Sequence, residues 1–431
     1  MKAGARIQAA IEILGDILDR HRPAPMALAD WGRSHRFAGS GDRAAIGNLV
    51  YDTLRRKASV AARMEADTPR ALAIGAAAEA FGLTPAEVMA AVDGSAHAPE
   101  SLSSQEAAAL ERVLGDETPA WMRADVPDWL APSLTRAFGE DLVAEGQALA
   151  LRAPIDLRVN ALKATRDRVL KALERFEAAP TPFSPLGIRM PAPTGAGRSP
   201  NIEAEAGHGK GWYEVQDEGS QIAALLTGAG PRMQVADVCA GAGGKTLALA
   251  AAMQNTGQIH AFDADRHRLR PIFDRLRRAG ARNVQVIEPG AEDALAKLHG
   301  RMDVVLADAP CTGSGVWRRR PDAKWRLKPA NLAERQEEQR QVLALAAPLV
   351  KPGGRLVYVT CSLLPEENGD QVAWLRTVHP EFVPVPTAEA WQAPLTGAAP
   401  VSADGGQDAL LLTPRRHATD GFFIAVMMRH V

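Results

Sequence analysis

The chain predicts an α/β fold, a mostly parallel sheet preceded by a helical region, and three observations carry this. From about residue 231 onward, apolar β-branched runs alternate with helical stretches. A glycine-rich loop follows the first of these runs and an acid ends the second, as in folds that bind ligands at the carboxyl ends of parallel strands. Before residue 150 the apolar residues recur at helical spacing instead, and β-branched clusters are scarce.

Taken in order, Ile7, Ile11, Ile13, Leu14 and Leu18, then Ile46, Leu49, Val50 and Leu54, lie at helix spacing. Residues 1–145 are therefore expected to form an all-α accessory domain, ending near Arg152-Ala153-Pro154. Residues 146–230 read as a small α+β segment. It has a strand at 155–160, a helix at 166–176, a turn-rich ribbon at 180–193, a glycine-rich mobile stretch at 194–211 and a helix at 216–226. Residues 231–431 are expected to be the catalytic domain, with strands at 235–239, 258–262, 284–288, 303–308 and 355–360 and a clear helix at 332–350. The apolar run 421–428 is expected to supply an edge strand.

At 431 residues and 46% hydrophobic, the chain can bury a substantial core in two or three domains. A net charge of -1 does not mark a nucleic-acid binder in bulk, but charge is uneven. Arg266, Arg268, Arg270, Arg275, Arg277, Arg278 and Arg282 face only Asp274 in their stretch. Arg318, Arg319, Arg320, Lys324, Arg326 and Lys328 face only Asp322, with Trp317 and Trp325 interleaved, a pattern that suits phosphate neutralisation and base stacking. The first tract reads as the exposed face of a helix that turns Leu269, Ile272, Phe273 and Leu276 inward. The second reads as an RNA contact. Three cysteines without close spacing argue against a disulfide framework and a zinc site, so no metal is expected. No apolar run is long enough for a membrane span, and charges at Glu12, Asp16, Asp19 and Arg20 interrupt any signal-like core. A cytoplasmic, monomeric protein without membrane attachment is expected.

The loop Asp237-Val238-Cys239-Ala240-Gly241-Ala242-Gly243-Gly244-Lys245-Thr246 links a strand to a helix. A phosphate-cradling Walker loop would need glycine at position 239, which is Cys239, and a dinucleotide fingerprint would need one at 246, which is Thr246. S-adenosylmethionine tolerates a looser pattern because it has no pyrophosphate to surround. Asp263, about twenty residues on, stands where an acid bonds ribose hydroxyls.

Every cysteine of the chain ends a strand-like run: Cys239, Cys311 in Asp308-Ala309-Pro310-Cys311, and Cys361 in Thr360-Cys361-Ser362. A thiolate can add to C6 of a pyrimidine ring and make C5 rich enough in electrons to take a methyl group. That chemistry needs a deprotonated thiol, a hydrogen-bonding group at the ring and help in expelling the sulfur. Cys311, Cys361 and Asp308 offer these parts, and Lys245 adds positive charge that favours thiolate. A single buried cysteine is more often packing. Residue chemistry alone leaves open which thiol attacks, and Cys239 reads as structural or loop-lining.

The glycine loop, Asp308-Ala309-Pro310-Cys311-Thr312-Gly313-Ser314-Gly315 and Thr360-Cys361-Ser362 together resemble the RsmB/Nop/Sun family of RNA cytosine-5 methyltransferases. Arg158-Val159-Asn160 and the run from Gln216 to Gln221 resemble the family's segment ahead of its catalytic domain. The resemblance implies a seven-stranded, Rossmann-like S-adenosylmethionine-dependent methyltransferase sheet. Its cofactor would lie against Cys239, Ala240, Gly241, Ala242, Gly243, Gly244, Lys245, Asp263, Arg268 and Asp308. Cys361 would be the nucleophile, Cys311 would assist release, and Asp308 and Lys245 would complete the catalytic group. The favoured substrate is small-subunit ribosomal RNA, with transfer RNA the nearest alternative. Ala242 departs from the family's usual proline, and the acid that seats adenine after the third strand is replaced near Pro289-Gly290, with Glu292 or Asp293 as substitutes. Gly41-Asp42-Arg43, Leu49-Val50-Tyr51 and Leu54-Arg55-Arg56 are similar to the NusB-like RNA-binding domain of bacterial members. Outside this class stand a non-catalytic RNA-binding assembly factor and a nicotinamide-dependent oxidoreductase, the latter with no use for two thiols.

Overall fold

Two sheets organise the chain from Pro154 onward. The computed structural model describes residues 1–395 and 397–430. Four short strands, β1 (Ile155–Val159), β2 (Ala179–Pro180), β3 (Gly187–Met190) and β4 (Tyr213–Val215), pair antiparallel in the order β2-β3-β1-β4. The larger sheet holds β5 (Gln234–Asp237), β6 (Gln258–Phe262), β7 (Val284–Ile287), β8 (Met302–Asp308), β9 (Val350–Thr360), β10 (Phe382–Pro384), β11 (Leu410–Leu412) and β12 (Phe422–Arg429). Its path runs β10-β12-β9-β8-β5-β6-β7, seven strands as the family pattern implies, with β11 added as an eighth on β12.

Strands β5 to β9 pair parallel, and β12 runs antiparallel beside β9. Val304, Val305, Leu306 and Ala307 of β8 are all buried, the continuous apolar run of a strand covered on both faces. The chain steps outward from β5 to β6 and β7, then returns to place β8 on the other side of β5. The crevice at the carboxyl ends of β5 and β8 is therefore the topological switch point where open α/β sheets bind ligands. The run at 421–428 is not an edge strand. It lies between β9 and β10, because the three-residue β10 is too short to show as a periodic pattern yet covers the outer side of β12.

Two compact units divide the chain: Met1–Ala153 with Ala192–Ser199 and Val316–Leu327, and the remainder, which carries both sheets. The first unit is helical around Ile7, Leu14, Ile46, Leu49, Leu54, Leu72 and Ile74, all buried. Its helix starts are signalled by capping boxes at Thr84/Glu87 and Ser103/Glu106.

Two expectations are corrected within this unit. Part of the 194–211 stretch is held rather than loose: Asn48 Nδ2 donates to the carbonyls of Gly195 and Gly197, and Arg152 Nη1 to those of Pro193 and Gly195. The basic tract from Trp317 to Leu327 is not an open RNA platform, since Trp317 is 1% exposed, Lys324 2% and Arg318 4%. The physical reason lies at the end of the helix Ser40–Arg55, whose last carbonyls need donors. Trp325 Nε1 donates to Leu54 O at 2.6 Å and Lys324 Nζ to Arg55 O at 2.8 Å. Burial pushes the Lys324 ammonium down to about 8, opposed by the charge of Asp125. Arg319, Arg320, Arg326 and Lys328 stay exposed.

Candidate active site

The loop after β5 turns on two glycines with positive φ, Gly241 at 49° and Gly243 at 85°, before the helix Gly244–Ala252 begins. A Cβ at Gly243 would lie 2.6 Å from Ile272 Cγ1, so the loop passes close against its neighbour. Asp263, just past β6, is buried and tied to this loop: one carboxylate oxygen accepts the Gly241 N–H at 2.9 Å, the other the Asp265 N–H at 2.9 Å. Arg268 stands 3.8 Å from the same carboxylate.

The loop carbonyls are held from farther away. Arg275 Nη1 donates to Ala242 O at 2.9 Å, fixing the residue that replaces proline, and Arg158 Nη2 donates to Gly244 O at 3.3 Å. Arg158 Nε also donates to Gln216 Oε1 at 2.6 Å. Burial lowers the Arg158 guanidinium to about 10, against the raising effect of Glu214. The Arg158 and Gln216 segments thus brace the glycine loop, a role that no local pattern reveals. The helix face expected for 266–282 holds at Leu269, Ile272 and Leu276, which pack inward, and is corrected at Phe273, which is exposed, while Arg275 and Arg278 turn in to pair with Glu214 at 2.9 and 2.7 Å. Pro271 divides that stretch into two short helices.

After β7, Glu288 is exposed and pairs with Arg266 at 3.2 Å, and Asp293 is exposed. The side chain of Glu292 lies outside the described residues. At the end of β8, Asp308 accepts from Lys245 Nζ at 2.6 Å. Lys245 also stands 5.3 Å from the ring centre of Phe422, so its charge faces both an anion and an aromatic face.

Cys311 and Cys361 meet. Their sulfurs are 3.2 Å apart, although 50 residues separate them in sequence, and both are partly accessible. Parallel pairing of β8 with β9 brings the two strand ends together, with Asp308 opposite Val359. Backbone bonds then lock the loops: Ala309 N–H to Val359 O and Gly315 N–H to Cys361 O, each 2.9 Å. The hydrogen bond to Cys361 pushes the Cys311 thiol well up, joined by burial and by the charges of Cys361 and Glu367. Cys239 does not join the pair. Burial and then Asp263, Asp237 and Asp308 raise its thiol far above the usual range, which keeps it neutral.

Sequence reasoning missed two carboxylates. Glu367 is buried and grips both cysteine loops; its one visible signal is its place six residues after Cys361. Asp237 is buried at the end of β5, accepts from Thr246 Oγ1 at 2.7 Å, and is pushed up to about 7, chiefly by burial. Its folded pKa lies above the unfolded value, so the native chain binds the extra proton between about 4 and 7. Stability therefore falls as pH rises through that window and stays lower above it. Asp237→Asn should flatten this slope, with a difference of a few kcal/mol (about 1.4 per pH unit) between urea melts at pH 5 and pH 8. An unchanged slope would show that Asp237 titrates as an ordinary acid.

Strand order, a reversed strand beside β9, and a glycine loop at the switch point define the class: a Rossmann-like methyltransferase fold. The crystal structure of PH0851 superposes with a TM-score of 0.70 and 26% identity, covering 98% of each chain. A methyltransferase homolog protein from Pyrococcus horikoshii gives 0.59 and 28%, covering 73% of this chain and 100% of the other. Residues 227–428 match the family model of the 16S rRNA methyltransferase RsmB/F, and residues 126–196 its ferredoxin-like domain. A probable ribosomal RNA small subunit methyltransferase B from Synechocystis sp. is 34% identical over 310 residues, covering 69% of this chain and 66% of that one. The chain thus spans about two thirds of the length of this curated relative. It belongs to the RsmB/Nop/Sun family.

Proposed function

We propose that this protein is an S-adenosylmethionine-dependent RNA cytosine-5 methyltransferase acting on small-subunit ribosomal RNA. The observation that carries the reading is the contact of Cys311 and Cys361 beside the Lys245–Asp308 pair at the switch point. The glycine loop from Cys239 to Gly244, with Asp263 and Arg268, fits the cofactor: two glycines of positive φ bring the backbone beside a buried carboxylate with lone pairs left for hydroxyls. Bound there, the cofactor supplies an electrophilic methyl group.

Cys361 is the nucleophile in this reading. Its sulfur adds to C6 of the cytosine, and the electron pair moves to C5, which takes the methyl group. Loss of the C5 proton then expels the sulfur, and Cys311 assists that release. Asp308, held by Lys245, lies where it can hydrogen-bond the base as charge shifts on the ring. Residues 1–145 serve as an RNA-binding accessory domain and 146–230 as the segment that presents RNA and braces the cofactor loop. Among the described residues no helix is long and apolar enough to cross a membrane. A cytoplasmic monomer accords with this reading.

The test is direct. The purified protein, S-adenosylmethionine with a labelled methyl group and unmodified 16S ribosomal RNA should give labelled 5-methylcytidine after nuclease digestion and mass spectrometry. Label in transfer RNA alone would shift the substrate, and none in either RNA would remove the reading.

A further inference from the structure

One buried carboxylate holds the residues that follow both cysteines, with most of its bonds on the Cys311 side. Glu367 is 0% exposed. One of its oxygens accepts the Thr312 N–H at 2.8 Å and Gln339 Nε2 at 3.1 Å. The other accepts Thr312 Oγ1 at 2.5 Å and the Ser362 hydroxyl. Thr312 follows Cys311 directly and Ser362 follows Cys361, so a single carboxylate clamps both loops. Gln339 Nε2 also donates to Pro310 O at 2.9 Å, tying down the residue on the other side of Cys311.

The donors arrive in a consistent order. Leu363 N–H donates to Ser314 Oγ at 2.7 Å, and Ser314 Oγ lies 3.0 Å from Ser362 Oγ. Ser362 Oγ also accepts the Leu364 N–H at 3.1 Å, which leaves its own proton for Glu367. Two hydroxyls, a backbone N–H and an amide thus all point donors at this carboxyl, the arrangement of an ionised acceptor. Burial raises the Glu367 carboxyl above its ordinary range, and these same donors pull it back.

We propose that Glu367, as a buried anion, keeps Cys311 in its thiol form, so that the pair enters the reaction with the Cys311 sulfur protonated and donating toward Cys361. This rests on the reading of Cys361 as nucleophile. The groups facing Cys311 are Cys361, Glu367 and Tyr358, whose hydroxyl donates to Glu367 O at 2.6 Å; Asp308, paired with Lys245, lies three residues up the chain. Of these, Glu367 is the one whose charge falls on the Cys311 loop through hydrogen bonds to the adjacent residue. A like charge nearby disfavours thiolate. Glu367 is a positioning residue: it acts through Cys311 and does not touch the base.

The test needs no RNA, so it fails independently of the methyltransferase reading. Alkylation of the whole protein by iodoacetamide, followed by peptide mass spectrometry, gives the pH at which Cys311 is half-maximally reactive. In the unaltered protein this point should lie above that of free glutathione. In Glu367→Gln, which keeps the shape and loses the charge, it should fall by about one pH unit or more. In Glu367→Asp, which keeps the charge and loses the reach, it should stay high. A half-point in the unaltered protein at or below glutathione's would overturn the proposal even if the variants do not fold. An unchanged half-point in a folded Glu367→Gln protein, shown by an unaltered melting curve, would do the same.

Discussion

A Cys311→Ala protein should accumulate a covalent protein–RNA species that survives denaturing gels, whereas Cys361→Ala should form none and lose activity by at least roughly 10³-fold. The sulfurs are 3.2 Å apart, so a pyrimidine ring that reaches one is within reach of the other. Distance therefore does not rank them. The family resemblance ranks them, with Cys361 as the attacking sulfur, and a Cys311 thiol pushed well up, first by its hydrogen bond to Cys361, accords with that order. Removing the attacking sulfur abolishes the adduct. Removing the partner leaves the ring attached and without its route to release. RNA bearing 5-fluorocytosine, whose C5 cannot lose a proton, should trap the same Cys361 adduct in the unaltered protein. Adducts that vanish in Cys311→Ala and persist in Cys361→Ala would exchange the two roles, the assignment suggested by enzymes that attack with the cysteine of a Pro-Cys pair.

The strands that build this site were legible because parallel strands buried on both faces are written as uninterrupted apolar runs. Strand β6, Gln258–Phe262, coincides with the run read from the sequence. Strand β9 was read only from Arg355, since Lys351-Pro352-Gly353-Gly354 breaks the apolar run. The strand nonetheless begins at Val350, with a register irregularity against β8 and Gly353 at a φ of 74°. What stayed hidden depends on partners far away in sequence. Trp317 and Lys324 looked like an RNA platform because a charged, aromatic run carries no mark of the helix end it will cap. Arg158 gave no hint that its guanidinium would reach the carbonyl of Gly244, 86 residues on. Glu367 looked like one more acid in Pro365-Glu366-Glu367, and only tertiary burial separates it from its neighbours.

Gly315→Ala should be the most damaging single methyl group near the site, slowing turnover by roughly 10²-fold while cofactor affinity stays within about twofold. A Cβ at Gly315 would lie 2.2 Å from Gly421 O, and the obstacle is backbone, which cannot rotate aside as a side chain would. The two glycines approach because Gly421 N–H donates to Gly315 O at 2.8 Å, and Gly315 N–H in turn donates to Cys361 O at 2.9 Å. An added methyl therefore pushes on the loop that carries Cys361 and pries it from the loop that carries Cys311. The glycine loop and Asp263 belong to other strand ends and share none of these bonds, so cofactor binding should be spared. Calorimetric titration with S-adenosylmethionine and single-turnover methylation on one preparation separate the two effects. Equal losses in both would mean that the methyl group disturbs the whole sheet edge, and a fully active Gly315→Ala would mean that the sulfurs need no such close backbone contact to react.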